Sequence, residues 1–278
     1  MIRFDAYSAT TTEAKTQDLL QVLAQAGGVG SMHKMRQGKG FHTFGERIGV
    51  SNEHGVEWGS VMWGGHQGDR VMIEVKGDAT PRAVQAIRSA FPHRCTRVDA
   101  CADFDAPGAF ESLLGASLEV KQKHRLKSEK QGDWDDFPEL GRTLYLGARA
   151  SVCRVRLYEK GKQPEYRHLE RPDWTRIEVQ VRPAKEAKTA FSTLSPAEVW
   201  GASTWTRELA GKVMQEHIDP HPAGTTYRLT QRDAALEWMC HQYGQHLVSL
   251  ASDLGGWDCL GLTLRDIIAQ QKRLNRKH

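Results

Sequence analysis

The sequence has few cysteines and no long hydrophobic run, and these two features exclude several classes of protein. Five cysteines, at positions 95, 101, 153, 240 and 259, are scattered over 278 residues without a Cys-x-x-Cys pair. Such a set is typical of reduced thiols in a cytosol and argues against a disulfide framework or a zinc ribbon. No apolar segment approaches the roughly 20 residues that a membrane-spanning helix needs. The chain also opens directly on a predicted strand, so we expect a cytoplasmic protein with no secretion signal and no membrane contact.

Several catalytic motifs are missing as well. The glycine clusters at Gly27–Gly30 and Gly64–Gly65 lack the Lys-Ser/Thr ending of a phosphate-binding P-loop, and no serine lies in a nucleophile elbow. The 12 histidines include no His-x-His pair, and Pro220 interrupts the helical spacing of His217 and His221. An NTPase, a serine hydrolase and a histidine zinc site are therefore not expected.

The composition indicates a soluble globular protein with a mildly basic surface. Hydrophobic residues make up 39% and charged residues 26% of the chain, and the mean hydropathy is -0.56. The length suits one large domain, or a main domain with a small one. The net charge of +4 and the isoelectric point near 8.8 permit nucleic acid as a partner without proving it.

The predicted elements of the first part of the chain occur twice in the same order. Halves of about 1–92 and 93–195 each have the pattern strand, helix, three strands, helix (β-α-β-β-β-α). This predicts a duplicated α+β domain, 1–195, with antiparallel sheets. The segments that resemble each other are Ile2–Ala6 with Thr96–Ala100, and Met72–Val75 with Arg176–Val179.

After about residue 195 the sequence predicts helices only. We expect a C-terminal helical appendage over 196–278, packed on the sheet domain. Its predicted helices are Val199–Ile218, Thr230–Val248 and Leu262–Leu274. It ends in a basic tail of Lys272, Arg273, Arg276 and Lys277, which is either solvated or adds phosphate contacts.

One predicted strand, Val152–Lys160, has two chemically different faces. Side chains alternate along a strand, so Val155 and Leu157 share one face with Cys153. The other face is a poor core surface but suits a phosphodiester, with a phenol as candidate nucleophile; the alternative is an amphipathic strand with a solvated basic face. That other face carries Arg154, Arg156, Tyr158 and Lys160.

Two carboxylates are predicted to lie beside Tyr158. Asp99 and Glu178 each follow an Arg-x pair in equivalent strands, and carboxylate and phenol oxygens form a hard-ligand site for Mg²⁺ or Mn²⁺. Asp103 is the alternative to Asp99. The two residues are four positions, roughly 13 Å, apart along a regular strand, so they cannot both bind one ion. A phenol with a pKa near 10 needs a nearby cation to become a nucleophile at pH 7, and Lys160 could supply it or hold the phosphate.

In the first half the equivalent ribbon ends in Trp63, Gly64 and Gly65 instead of a tyrosine and a lysine. We therefore expect one active site per chain, with the first half supporting structure or gripping nucleic acid. The basic segments 33–39 and 121–130 are candidate DNA contacts. Together with the strand cations, the predicted DNA-binding residues are Arg154, Arg156, Arg176, Lys34, Arg36, Lys39, Lys121, Lys123 and Arg125.

As an ordered set, the motifs of the second half resemble the Rep_trans family of replication initiation factors, which act in rolling-circle replication of small plasmids and filamentous phages. The resemblance covers roughly residues 1–195 and implies a fold related to the HUH endonucleases, with acidic residues in place of the paired metal-binding histidines. The motifs are Arg97–Asp103, Thr143–Gly147 with Ser151, Arg156–Lys160 and Arg176–Val179.

The resemblance implies a tyrosine that nicks one strand of origin DNA, leaving a 5′-phosphotyrosine link and a free 3′-OH. Carried over to this sequence, Tyr158 is the nucleophile, Lys160 its cationic companion, and Asp99 and Glu178 the metal ligands. The expected partners are single-stranded or hairpin origin DNA and a separate host helicase, since the chain has no P-loop; a homodimer is left open. Two alternatives remain: a non-catalytic DNA-binding regulator on the same fold, and a metal-dependent nuclease that uses water.

Overall fold

The computed structural model of the chain describes residues 2–27, 34–132, 134–135, 140–224 and 231–274. The first half contains five strands and two helices, and the second half has the same order of elements. The first-half elements are β1 (Ile2–Thr11), α1 (Thr16–Gly27), β2 (Lys34–Lys39), β3 (Glu46–Ser51), β4 (Glu57–Trp63), β5 (Val71–Lys76) and α2 (Thr80–Ala90). The second-half elements are β6 (Arg94–Asp105), α3 (Ala109–Lys123), β7 (Ser128–Gln131), β8 (Thr143–Leu146), β9 (Cys153–Glu159), β10 (Trp174–Val181) and α4 (Ala187–Ala190).

Within the described residues these strands form a single ten-stranded antiparallel sheet. Its order is β2-β3-β4-β5-β1-β6-β10-β9-β8-β7, so β1 and β6 pair at the centre and the two halves extend outward from them. The predicted α+β class with antiparallel sheets is confirmed. The halves share one sheet, and each has four strands between its helices where three were expected. That the halves arose by duplication stays a prediction.

The extra strand of the first half is β2, which lies within the basic segment 33–39. Its residues are exposed on both sides of the sheet edge, so it has no apolar alternation by which periodicity could identify it. Backbone pairing with β3, from Lys34 opposite Ser51 to Lys39 opposite Glu46, makes it a strand. The extra strand of the second half, β7, is likewise an exposed edge strand.

The two faces of the sheet differ sharply in chemistry. One face carries buried apolar residues from every inner strand, including Val61, Ile73, Val98, Leu157 and Ile177, and packs against the helices. The opposite face is polar. In register across β8, β9, β10 and β6 it carries Tyr145, Arg156, Glu178 and Cys101, with Tyr158, Arg176 and Asp103 alongside.

The chain divides into two compact units, Met1–Thr226 and Tyr227–His278. The first unit also contains a 3-10 helix, Glu198–Ala202, and α5 (Thr204–Met214), whose residues join the core. The second unit contains α6 (Gln231–Asp253) and α7 (Trp257–Leu274), so helices occur after residue 195 as predicted. Of the basic tail, Arg276 and Lys277 lie outside the described residues. No helix in the described ranges is both long and apolar enough to cross a bilayer.

Candidate active site

Tyr158 lies on the polar face of β9, directly opposite Arg176 of β10. Its side chain is 3% exposed, and the Arg156 guanidinium lies 4.0 Å from the centre of its ring. The phenol donates a hydrogen bond to Glu178 Oε2 at 3.5 Å. Burial, together with the negative charge of Glu178, raises the pKa of Tyr158 well above its usual value, despite the neighbouring arginines. The free protein therefore keeps this phenol protonated.

Glu178 lies on β10, two residues after Arg176, and forms an ion pair with Arg156. The closest approach is 2.9 Å, between Arg156 Nε and Glu178 Oε1. Burial raises the pKa of Glu178 to about 7; Arg156 lowers it, while the charge of Asp99 adds to the increase. One arginine thus only partly compensates this buried carboxylate.

Asp99 lies on β6 opposite Gln180 of β10, diagonal to Glu178 on the same face. Its side chain is almost fully buried, and both carboxylate oxygens accept hydrogen bonds from Arg97, at 2.9 Å to Oδ1 and 2.5 Å to Oδ2. Gln180 donates a further bond to Oδ2 at 3.3 Å. Asp99 and Glu178 are therefore close together, as expected, but each has an arginine as counter-ion.

Arg176 is 1% exposed and joins two carboxylates from different strands. It donates two parallel hydrogen bonds of 2.7 Å to Asp103 on β6 and one of 2.6 Å to Asp5 on β1. Trp174 adds a hydrogen bond to Asp103 Oδ1 at 2.9 Å. These donors, the nearest being Arg176, outweigh burial and lower the pKa of Asp103. The oxygens of Asp103 are thus occupied by structural partners.

Asp5 is a site residue that sequence reasoning missed. It lies at a register shift of β1, between Phe4 and Ala6, which brings its carboxylate to Arg176. The signal was present, since Ile2–Ala6 resembles Thr96–Ala100 and places Asp5 at the position equivalent to Asp99. Only the pairing of β1 with β6 shows that this first-half residue belongs to the second-half site.

Lys160 lies beyond the end of β9, in a 3-10 turn over Lys160–Lys162, and not on the strand where alternation placed it. Its side chain is 5% exposed. The ammonium lies 4.5 Å from the ring centre of Tyr166 and 4.8 Å from that of Trp174. Burial, reinforced by the charge of Arg176, lowers the pKa of Lys160 to about 8. Burial and the charge of Arg176 thus bring this amine close to its titration point, although the two rings favour its charged form.

Part of this set opens into a cleft of about 610 Å³, whereas Asp99, Asp103 and Glu178 are not among the residues that line it. Tyr158, Lys160, Arg156 and Arg176 line one side. First-half residues complete it, among them Asp5, Trp58, Lys76, Asp78 and Arg82. Residues of both halves therefore line this cleft, and Tyr158 comes from the second half.

Comparison with known proteins identifies the family of this chain. Residues 95–250, more than half of the chain, match the Rep_trans family model, described as a replication initiation factor. The chain belongs to the Rep_trans family. The match begins at the second half and runs beyond residue 195, so it is shifted from the 1–195 range expected above. It includes Asp99, Tyr158, Lys160 and Glu178.

A solved structure similar to this Rep_trans chain is the rolling circle replication initiator protein from Geobacillus stearothermophilus. The two are 15% identical, with a TM-score of 0.47, over 72% of this chain and 83% of the other. No curated protein matches the chain.

The other predicted DNA-binding residues of this Rep_trans protein are distributed over several surfaces. Lys34, Arg36 and Lys39 are exposed on the edge strand β2. Arg154 lies on the polar face, 3.8 Å over the Tyr145 ring, and pairs with Glu129 at 3.0 Å. Lys121 and Lys123 lie in the last turn of α3, on the helix-covered side, with Arg125 just beyond. Lys123 pairs with Glu208 of α5 at 2.9 Å.

The carboxylates beside Tyr158 in this Rep_trans protein are candidate ligands for a divalent cation. In the described part of the chain no group of three His, Cys, Asp or Glu residues is placed to hold a metal. Two buried carboxylates, Asp99 and Glu178, do lie side by side next to a phenol, and Glu178 is under-compensated. Mg²⁺ usually takes one or two protein carboxylates and completes its shell with water and substrate phosphates. The donor chemistry therefore fits a cation that binds together with a phosphate.

Proposed function

We propose that this chain initiates rolling-circle replication by nicking one strand of origin DNA with Tyr158 and later rejoining the ends. The observation that carries the proposal is the position of Tyr158 in the cleft. A phenol that donates to a carboxylate and is flanked by Arg156, Arg176 and Lys160 has the surroundings that a phosphodiester and a nucleophile both need. The family match to replication initiation factors supports the same activity.

In the proposed step, the Tyr158 oxygen forms a bond to phosphorus while the bond from phosphorus to the 3′ oxygen breaks. The phenol gives up its proton and the 3′ oxygen gains one, so the reaction needs no oxidant and no nucleotide cofactor. The phosphotyrosine keeps the energy of the phosphodiester, and the same site can therefore reverse the reaction to rejoin DNA ends.

The site residues have distinct tasks in this step. Glu178 Oε2 is the acceptor for the phenolic hydrogen and orients the oxygen. The ammonium of Lys160, which lies beside the rings of Tyr166 and Trp174, neutralises the negative charge of the scissile phosphate or of the developing phenolate. Arg156 covers the ring of Tyr158 and fixes its plane. Arg176, which forms ion pairs with Asp5 and Asp103, contributes positive electrostatic potential to the site.

A bound Mg²⁺ or Mn²⁺ would spread the charge of the phosphate in the transition state. Asp99 and Glu178 would hold it. Burial is the main cause of the raised pKa of Glu178, and Arg156 compensates it only in part, so this carboxylate can accept a further positive partner.

Single-stranded or hairpin origin DNA is the proposed partner, with the exposed cations of β2 adding phosphate contacts. A separate helicase would unwind the duplex, since the sequence contains no P-loop.

The test is incubation of the protein with supercoiled origin DNA and Mn²⁺, followed by a denaturing gel. The wild-type protein is expected to form a covalent protein–DNA adduct, and Tyr158→Phe is expected to form none while binding the same DNA. Tyr145→Phe is the matched control, because Tyr145 lies on the same face of neighbouring β8 under its own arginine. It should leave the adduct intact.

Each rival mechanism has its own outcome. Nicking by Tyr158→Phe, with loss of nicking in Glu178→Ala, would indicate a nuclease that uses water. Origin binding without an adduct under any divalent cation would indicate a non-catalytic regulator. Either result would overturn the proposal.

A further inference from the structure

The first half has a cavity at the place that corresponds to the tyrosine site. Met72 pairs with Met62 between β5 and β4, as Arg176 pairs with Tyr158 between β10 and β9. Glu74 follows Met72 by two residues, as Glu178 follows Arg176. Where the second half has a phenol and a guanidinium, the first half therefore has two thioethers.

These methionines form a small apolar cluster with Phe44, separate from the main core. Phe44 lies in a loop that packs against the end of β4. Gly45 N donates to Trp63 O at 3.2 Å, and His66 N donates to Thr43 O at 3.1 Å. A side chain at Gly65 would lie 2.6 Å from the backbone of this loop, so a glycine is required there. The loop is thus firmly positioned.

Phe44 and Met72 contribute to the walls of a cavity of about 330 Å³, named here the Met72 cavity. Its rim carries four cations and, among the lining residues, one carboxylate, Glu74. Arg97 is paired with Asp99. The other three form no ion pair with any described carboxylate: Arg70, Arg182 and Lys188.

These three cations differ from six other arginines of the second half, each of which has a carboxylate partner. Arg142, Arg149, Arg154, Arg156, Arg171 and Arg176 all pair with carboxylates. Like charges that converge without a counter-ion repel one another, and burial together with the nearby Arg97 lowers the pKa of Arg182. An anion at the rim would relieve this repulsion.

We propose that the Met72 cavity binds one unstacked nucleobase of single-stranded DNA, with the adjoining phosphate held by Arg182 and Lys188. The volume accommodates a base, and soft thioether and aromatic groups pack well on its flat face. Thr10, Thr96 and Glu74 place polar groups in the wall to meet the edge of the base. The proposal rests on DNA being the substrate. It gives the first half, which lacks a counterpart of Tyr158, a second contact with the DNA strand.

The probe is each of the four deoxynucleoside 5′-monophosphates, titrated into the whole protein labelled with ¹³C in the methionine methyl groups. At least one nucleotide is expected to shift the Met72 methyl resonance. This resonance is assigned as the one that is missing from the spectrum of Met72→Leu. Arg182→Ala with Lys188→Ala should weaken that binding about tenfold, since charge-assisted contacts to the phosphate are lost. Arg207→Ala with Lys212→Ala, both on α5, is the control of equal charge change and should bind as the wild type does.

Two results would overturn the proposal. One is no shift of the Met72 methyl with any nucleotide at millimolar concentration. The other is an equal shift with inorganic phosphate, which would show an anion site without a base. The same titration with Tyr158→Phe is expected to be unchanged. Nucleotide binding and adduct formation are thus measured separately, so failure of this proposal can be told from failure of the nicking activity.

Discussion

At the scale of single residues, Lys160 shows how burial and neighbouring charge set the chemistry of the cleft. Its ammonium has two aromatic rings and Arg176 around it, and its pKa is lowered from an ordinary value of 10.5 to about 8. The folded state therefore releases this proton at lower pH than the unfolded state. Between pH 8 and 10.5 the unfolded chain binds more protons at this lysine, so the contribution of Lys160 to the stability of the fold rises with pH.

We predict that this rise is absent from Lys160→Met. Urea unfolding at several pH values from 7.5 to 10.5 measures the free energy of unfolding of both proteins. The wild type should gain on the order of 2–3 kcal/mol more than the variant across that window. Parallel curves for the two proteins would show that Lys160 titrates in the fold as it does in the unfolded chain.

Arg176 is a buried cation that holds two carboxylates apart. Arg176→Ala should lower the free energy of unfolding by about 3–5 kcal/mol, because Asp5 loses its ion pair and Asp103 keeps only the 3.8 Å ion pair with Arg3. Asp103→Asn removes one of those charges. The double variant should therefore be less destabilised than the sum of the two single ones, by about 1–3 kcal/mol in a urea double-mutant cycle. Simple additivity would mean that the carboxylates do not interact through Arg176.

At the scale of elements, two adjacent glycines, Gly64 and Gly65, follow β4, and each is required for a different reason. Gly64 has a φ of 67° with no atom within 4 Å of a built Cβ. Gly65 has a φ of 70°, and its Cβ would lie 2.6 Å from both Thr43 O and Gly45 N. The first glycine meets a conformational requirement alone, whereas the second also meets a steric one.

Gly64→Ala should therefore cost about 1–3 kcal/mol of stability, because a φ of 67° with a ψ of -162° lies in a region that essentially only glycine adopts. Gly65→Ala should cost about 3 kcal/mol or more, because the loop that carries Phe44 must also move away. Urea unfolding measures both values, and the Met72 methyl resonance should shift in Gly65→Ala only. Equal costs would mean that the loop adapts freely.

At the scale of the whole molecule, the boundary of the sheet unit can be tested by truncation. The sequence predicts a domain of 1–195, whereas the chain divides after Thr226. The core of the first unit includes Val199, Trp200 and Leu209, all fully buried. A protein of residues 1–226 should thus unfold cooperatively, whereas one of 1–195 should lack fixed tertiary structure.

Near-ultraviolet circular dichroism and urea unfolding distinguish these outcomes. Trp200→Ala in the full chain is the companion variant and should cost about 3–5 kcal/mol, the usual result of removing a buried tryptophan. If 1–195 unfolds with the same midpoint as 1–226, the boundary near residue 195 is correct and the later helices are accessory.

The local pattern of the sequence was sufficient for much of the site. Alternation along Cys153–Glu159 and Trp174–Val181 shows which residues share a face, since a strand has a period of two whatever its neighbours are. Tyr158, Glu178 and Arg176 are therefore readable from the sequence, and so is the start of α2 at Thr80 and Pro81. The Rep_trans family is readable from the same ordered motifs, and its match confirms that prediction.

Only the tertiary structure decided which strands meet. Pairing of β1 with β6 brings Asp5 to Arg176 across 171 positions, and pairing of β2 with β3 makes a strand from a segment with no apolar face. The turn that carries Lys160 and the loop that places Phe44 against Met72 are likewise set by contacts distant in sequence. Local periodicity specifies which way a side chain points, whereas hydrogen-bond register and packing between distant segments specify what it meets.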